Sequence, residues 1–342
     1  MGYPLRIAHI SDLHFSKISF SPKIFFSKRW FGNLNLIFFR RNLYNPKNAF
    51  LLPEFLSNEK VSHIVMTGDM TTTSLEKEYL LAKELVDEFE SVNMTTYLIP
   101  GNHDHYTKKT CNDRIFYRYF PTQFSNFLPE WNLEDHRLTV EHLVDNFYLI
   151  GLDTTKAATL LDSTGVFSEA LENSLEKILQ DLPQDSRVIV ANHFPLFTQE
   201  HNRRIMRRAN ALQQLVKRFP SIICYLHGHT HRRCLADLRK SNYPIIMDSG
   251  SFSHQKHGSF PVSYTHLTLR CRKVHSFNFT AKALEMNPLE LSLSDRRSRR
   301  THSHNRLHHR SRQSAWRCAM PPISGRLPAS RSPPQPNTHQ SW

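Results

Sequence analysis

Asp12, Asp69, Asn102 and the histidines His14, His193, His229 and His231 fall in five short polar motifs, each directly after an apolar run. Ser11-Asp12-Leu13-His14 follows Leu5–Ile10, and Gly68-Asp69 follows 62–67. Gly101-Asn102-His103-Asp104 follows 95–99, Asn192-His193 follows 187–191, and Gly228-His229-Thr230-His231 follows 222–226. The apolar runs read as buried strands, and Pro100 and Gly101 end the third of them in a turn. Open α/β sheets place their chemistry at that end. Asp12 and His14 are two residues apart, as are His229 and His231, so on extended backbone each pair shares a face.

Seven ligands of this kind, with nitrogen and oxygen donors and no thiolate, suit Mn²⁺ foremost, with Fe, Zn, Co or Ni also matching, better than Ca²⁺. If one carboxylate is shared, they fill most of two coordination spheres and leave positions for water and substrate. Two such ions clamp both the attacking and the leaving oxygen of an in-line displacement. His103 is placed to donate a proton and Asp104 to orient it. His9 and His63 precede their motifs and read as structural, and His227 reads as a strand-end residue. Any one motif alone is an ordinary turn; agreement of all five at strand ends is what makes the set informative.

The elements that must carry these turns alternate. Strands are expected at 5–10, 62–67, 95–99, 146–152, 187–191, 222–226, 234–238 and 243–247. Helices are expected at 49–56, broken near Pro53, then from Ser74 as cap through 89, and at 168–182 and 211–219. This alternation predicts an α/β layered sandwich.

The chain has 342 residues with 39% apolar content, enough for a sizeable core. No apolar run approaches the roughly 18 residues of a membrane span, and Met1 leads straight into a strand with no signal-peptide pattern. Five cysteines without a C-x-x-C pair argue for free thiols in a reducing compartment, hence a cytoplasmic protein. Of the net charge of +14, residues 262–342 carry 14 Lys/Arg against 3 Asp/Glu, so the basicity belongs to the tail and does not point to nucleic acid. That tail is rich in Arg, Ser, His and Pro, and its start, Val262–Leu269, reads as a translated sequencing-library adapter. Residues 262–342 are therefore expected to be a disordered, chimeric continuation of a domain at 1–261.

Within that domain, Leu13–Pro53 has seven basic and ten aromatic residues and no acid. A basic, aromatic insert at 15–50 beside ligand His14 suits an acyl chain or a membrane interface. Trp30, Phe31, Phe38 and Phe39 are the expected apolar contacts, with Arg40 and Arg41 for a phosphate or headgroup.

The order D-x-H, G-D, G-N-H-D, solitary H, G-H-x-H, from Leu5 to about Ser251, resembles the calcineurin-like metallophosphoesterases. The resemblance implies a four-layer α-β-β-α sandwich around two divalent metal ions. One ion would be held by Asp12, His14 and His231 and the other by Asn102, His193 and His229, with Asp69 bridging. His103 would stay off the metals, near the leaving oxygen. The lipid-suited insert resembles the UDP-2,3-diacylglucosamine pyrophosphatases of lipid A synthesis, including the chlamydial type. This implies a nucleotide-lipid substrate and peripheral contact with the cytoplasmic face of the inner membrane. A cyclic-nucleotide or general phosphodiesterase is the competing enzyme reading, and a catalytically silent scaffold the non-enzyme one.

Overall fold

The computed structural model describes residues 5–17, 46–121, 128, 130–157, 162–197, 205–252, 262–270 and 278–286. The chain opens with β1 (Leu5–Ile10), a 3-10 turn (Pro46–Leu51), α1 (Leu52–Asn58), β2 (His63–Met66), α2 (Glu76–Ser91) and β3 (Thr95–Leu98). Three short helices follow, α3 (Lys108–Asn112), α4 (Ile115–Tyr119) and α5 (Leu133–His136), then β4 (Leu138–Val144), β5 (Phe147–Leu152) and β6 (Gly165–Val166). Next come α6 (Glu169–Asp181), β7 (Arg187–Asn192), β8 (Met206–Arg207), α7 (Ala209–Arg218), β9 (Ile222–His227), β10 (Arg233–Asp237) and β11 (Ile245–Ser249). Two further strands are β12 (Val262–Arg270) and β13 (Asn278–Met286).

Two large mixed sheets result, ordered β13-β12-β1-β2-β3 and β10-β11-β9-β7-β5-β4. The period-two side-chain alternation of the strands builds the layers. In the first sheet Ile7 and Val65 face inward while Ala8, Ile10, Ile64 and Met66 face outward, onto Leu52 and Leu56 of α1 and Tyr79, Leu85 and Phe89 of α2. In the second, Ile189 and Ala191 face inward while Val188 and Val190 face outward, onto Leu171, Leu175, Leu212 and Leu215 of α6 and α7. This is the expected α-β-β-α order. The inner layer between the sheets joins Ile7, Val65 and Ile99 to Leu149, Ile189, Leu226 and Met247.

Local boundaries differ from expectation where side chains found other partners. Pro53 sits in the first turn of α1 and starts that helix rather than breaking it, because its missing N–H costs nothing there. Ser168 caps α6 as expected, its Oγ accepting from the Leu171 amide at 3.2 Å. Ser74 does not cap α2; Leu75 precedes that helix. Strand β4 and the three short helices were not anticipated.

The tail differs more. Val262–Arg270 pairs antiparallel with β1, and Asn278–Met286 pairs with Val262–Arg270. The β-branched and aromatic residues of Val262–Leu269 suit a strand, and Thr265, Leu267 and Leu269 alternate at period two, whatever its origin. Thr265, Leu267 and Leu269 are buried, the two leucines in the inner layer. The expected boundary at Pro261 therefore does not end the ordered chain; residues 287–342 lie outside the described residues.

Candidate metal centre

The five motifs converge at one end of the two sheets. Asp12 and His14 do not meet through strand alternation. Both have left-handed backbone, with φ of 55° and 50°, as do Asp69, His229 and His231 at 54°, 70° and 55°. Such conformations cost an L-residue energy and persist where the surroundings impose them, often at functional sites. The surroundings here are neighbouring turns: the Asp12 amide donates to Gly68 O at 3.0 Å and the His14 amide to Asp69 O at 2.9 Å. Glycine is required at 68, where φ is +89° and a Cβ would strike the Gly101 backbone, and at 228, where one would strike Ser11 and Asp12.

Asp12, His14 and His231 bring one ligand atom each within 4.8 Å of one another, and so do Asp69, His193 and His229. In the first group His231 Nε2 is 3.2 Å from Asp12 Oδ1 and 3.1 Å from His14 Nε2. In the second His193 Nε2 is 3.1 Å from Asn102 Oδ1 and 3.2 Å from His229 Nδ1. Asp69 Oδ2 lies between the groups, 3.5 Å from His193 Nε2 and 4.0 Å from His14 Nε2. All seven expected ligands thus come together.

This donor set fits cations. His193 Nδ1 donates to the Thr67 carbonyl at 2.7 Å, so Nε2 of the neutral ring is a bare lone pair, aimed at the Asp69 and Asn102 oxygens. Acceptors facing acceptors need a positive charge between them. Burial draws the His193 pKa down, but the Asp69 carboxylate outweighs it and lifts the value to about 9, a proton supplying that charge. Burial would raise Asp69, yet His193 and His103 hold it well below the usual carboxylate range. Asp12 Oδ1 is buried and accepts no hydrogen bond among the described residues.

Residues 5–233 match the calcineurin-like phosphoesterase family. The chain belongs to that family. A probable glycerophosphodiester phosphodiesterase GpdQ of Arcobacter nitrofigilis is 28% identical over 199 residues, covering 56% of this chain and 63% of that relative's length. The glycerophosphodiester phosphodiesterase GpdQ of Enterobacter lignolyticus is 23% identical over 247 residues, 71% of this chain and 76% of that protein. Among solved structures, a dimetal phosphatase of Danio rerio superposes with a TM-score of 0.57 at 13% identity, over 83% of this chain and 98% of that one. At such identity the likeness speaks for the fold.

Seen as a metallophosphoesterase centre, the site assigns the remaining residues. A ring nitrogen of His103 lies within 4.8 Å of ligand atoms of His14 and Asp69. Its Nδ1 is 2.7 Å from the Thr72 carbonyl and its amide donates to Asp69 Oδ1 at 2.7 Å. Asp104 does not orient the ring as expected. Its buried carboxylate accepts from the amides of Gly101 at 2.9 Å, Thr71 at 2.9 Å and Met70 at 3.3 Å, and from Thr71 Oγ1 at 2.9 Å. Three backbone amides within reach outcompete one imidazole, so Asp104 braces the turn that carries His103. Burial and the Asp69 charge push its pKa up to about 7.

His9 is structural, held between Thr67 Oγ1 at 2.9 Å and Thr265 Oγ1 at 3.0 Å. His227 stands 3.4 Å from Asp248, whose carboxylate also takes the Thr230 hydroxyl between ligands His229 and His231. Asp248 and Thr71–Thr73 were not singled out in the sequence, and Ser74 was read there only as a helix cap. The hydroxyl run Thr71–Ser74 was visible there, directly after Gly68-Asp69. Trp30, Phe31, Phe38, Phe39, Arg40 and Arg41 lie outside the described residues. At the ends of the insert, Phe15 is buried and packs with Phe50, ring centroids 6.0 Å apart, on the α1–α2 side of the core, so neither belongs to a lid.

Proposed function

We propose that this chain is a dinuclear metal-dependent hydrolase of a phosphodiester or pyrophosphate bond. The observation that carries the reading is Asp69, one carboxylate placed between two His-containing ligand groups. Asp12, His14 and His231 would hold one divalent ion and Asn102, His193 and His229 the other, with Asp69 placed to serve both. Bound there, the ions supply charge for the phosphoryl oxygens and lower the pKa of water. The Thr67 carbonyl keeps His193 in the tautomer that can ligate. His103 gives its proton to the leaving oxygen, a role suited to an imidazole beside, rather than within, the ligand set. Turnover of bis(4-nitrophenyl) phosphate by the purified chain with Mn²⁺, absent after chelation and restored by metal, tests the reading. No turnover under any divalent ion favours the silent scaffold.

For the substrate, the basic and aromatic composition of Leu13–Pro53 supports a nucleotide-lipid, with UDP-2,3-diacylglucosamine as the first candidate and Mn²⁺ as the metal. Such a substrate brings the chain to the cytoplasmic face of a membrane; among the described residues no helix is long and apolar enough to cross one. The two relatives named for glycerophosphodiesters support a second reading, a soluble-headgroup diester. Turnover of the two substrates side by side decides between them.

A further inference from the structure

Thr71-Thr72-Thr73-Ser74 lies between the shared ligand Asp69 and helix α2. All four are buried, at 0%, 5%, 1% and 2% exposure, in a stretch that is neither strand nor helix. Their hydroxyls reach three separate pieces of the site. Thr72 Oγ1 donates to the carbonyl of His14 at 3.0 Å. Thr73 Oγ1 donates to the buried Glu78 carboxylate at 3.1 Å, which also receives the Thr73 amide at 2.8 Å and the Lys17 amide at 3.1 Å. Ser74 Oγ donates to the carbonyl of His103 at 2.7 Å and accepts from the Tyr106 amide at 2.9 Å; Thr71 Oγ1 lies 3.2 Å from the same carbonyl and 2.9 Å from Asp104 Oδ1, one proton shared between the two. The Thr72 carbonyl in turn takes His103 Nδ1 at 2.7 Å.

His103 is thereby gripped at its amide, its carbonyl and one ring nitrogen, with the Tyr106 ring stacked on it at 5.7 Å. An imidazole whose Nδ1–H is tied to a carbonyl is fixed in both ring orientation and tautomer. The tie orients only if the carbonyl itself cannot shift. Thr72 meets that condition, because its amide donates to Phe15 O at 3.0 Å and its hydroxyl to His14 O. Ser74 holds a left-handed φ of 55°. A glycine would take that φ without strain but could make neither Ser74 bond.

We infer that Thr71–Ser74 is a positioning strap that presents His103 Nε2 to the leaving oxygen, with Ser74 as its pin. The inference rests on the role proposed for His103. In the step it serves, the imidazolium carries protons on both nitrogens. The Nε2 proton passes to the leaving oxygen as the P–O bond breaks. The Nδ1 proton stays on the ring, hydrogen-bonded to the Thr72 carbonyl, and a neutral imidazole remains.

Ser74→Gly removes the pin and relaxes the backbone, so it separates the hydroxyl from fold stability; Ser74→Ala is its companion. In the Mn²⁺-loaded full chain, Ser74→Gly is expected to lower kcat on an alkyl diester such as glycerophosphoethanolamine by at least about tenfold. KM should stay within about twofold, and methyl 4-nitrophenyl phosphate, whose leaving group needs no proton, within about threefold. Metal content should not change. Separately from turnover, in the chain loaded with diamagnetic Zn²⁺, the His103 Nδ1–H should give a slowly exchanging ¹⁵N-coupled NMR signal in the parent that broadens or vanishes in Ser74→Gly. Equal losses on both substrates, unchanged kcat on both, or an unaltered Nδ1–H signal overturn the strap. If His103→Ala shows no leaving-group dependence, the acid role of His103 fails, and the NMR signal still decides whether Ser74 positions the ring.

Discussion

Asp69 Oδ2 stands 3.5 Å from His193 Nε2, and that imidazole is already committed through Nδ1 to the Thr67 carbonyl. A shared carboxylate facing a ring in its ligating tautomer predicts that binding of the two ions is linked through Asp69. Calorimetric titration of chelated protein with Mn²⁺ should find two ions per chain, and Asp69→Asn should weaken both. Its activity loss should exceed the roughly 10–100-fold typical of changing a hydrogen-bond partner of a metal ligand. A fully active preparation with one ion or none would sink the dinuclear reading.

His103 Nδ1 meets the Thr72 carbonyl much as His193 Nδ1 meets that of Thr67, so metal analysis must separate acid from ligand. His103→Ala is expected to keep both ions and lose about 10²–10⁴-fold in rate on a poor leaving group. The deficit should shrink for nitrophenolate. Loss of an ion in this variant would make His103 a ligand instead of an acid.

Truncation distinguishes the two halves of the tail. Cutting after Pro261 removes Leu267 and Leu269 from the inner layer and strips β1 of its antiparallel neighbour. Two buried leucines are worth about 3–6 kcal/mol together, so the melting temperature should fall by on the order of 10 °C. Cutting after Met286 should leave it unchanged. Equal melting temperatures for the two truncations would return the boundary to Pro261.

Glu141 on β4 is buried, Thr139 Oγ1 donates to its carboxylate at 3.3 Å, and burial pushes its pKa up to about 7. The folded state therefore binds this proton more tightly than the unfolded chain. That contribution to stability is complete below the ordinary glutamate value of about 4.3 and is lost as pH rises through about 7. Glu141→Gln should flatten the fall in melting temperature over that window. A slope identical to the parent's would show that Glu141 is solvated.

Replacing Trp30, Phe31, Phe38 and Phe39 by Ser tests the lipid reading. An acyl chain gains about 0.8 kcal/mol per buried CH₂, so a few methylenes on these rings dominate the affinity for a diacylated substrate. KM for UDP-2,3-diacylglucosamine should rise at least about tenfold, the equivalent of two methylenes, while a small diester is hydrolysed as before. Parallel loss on both substrates would make the segment structural, and no change on either would favour the glycerophosphodiester reading.

The residues that converge at the candidate centre were legible in the sequence because metal chemistry favours few residue types, and buried strands announce themselves by apolar runs. Asp12, His14, Asp69, Asn102, His193, His229 and His231 needed only their order and their places after those runs. The alternation of strands and helices likewise pointed to a layered α/β sandwich, and the resemblance implied its four-layer order. What the sequence misassigned were choices between partners distant along the chain. Asp104 is one residue from His103, yet its carboxylate went to Gly101 and to the turn at Met70 and Thr71, more than thirty residues back. Ser74 looked like a helix cap because caps are local, and its hydroxyl instead spans to His103 and Tyr106. Val262–Leu269 looked foreign by its letters, but strand pairing reads alternation and backbone hydrogen bonds, not origin. A polar group takes whichever donors or acceptors the packed core brings within about 3 Å. Sequence order does not encode that proximity; only the closed tertiary structure decides it.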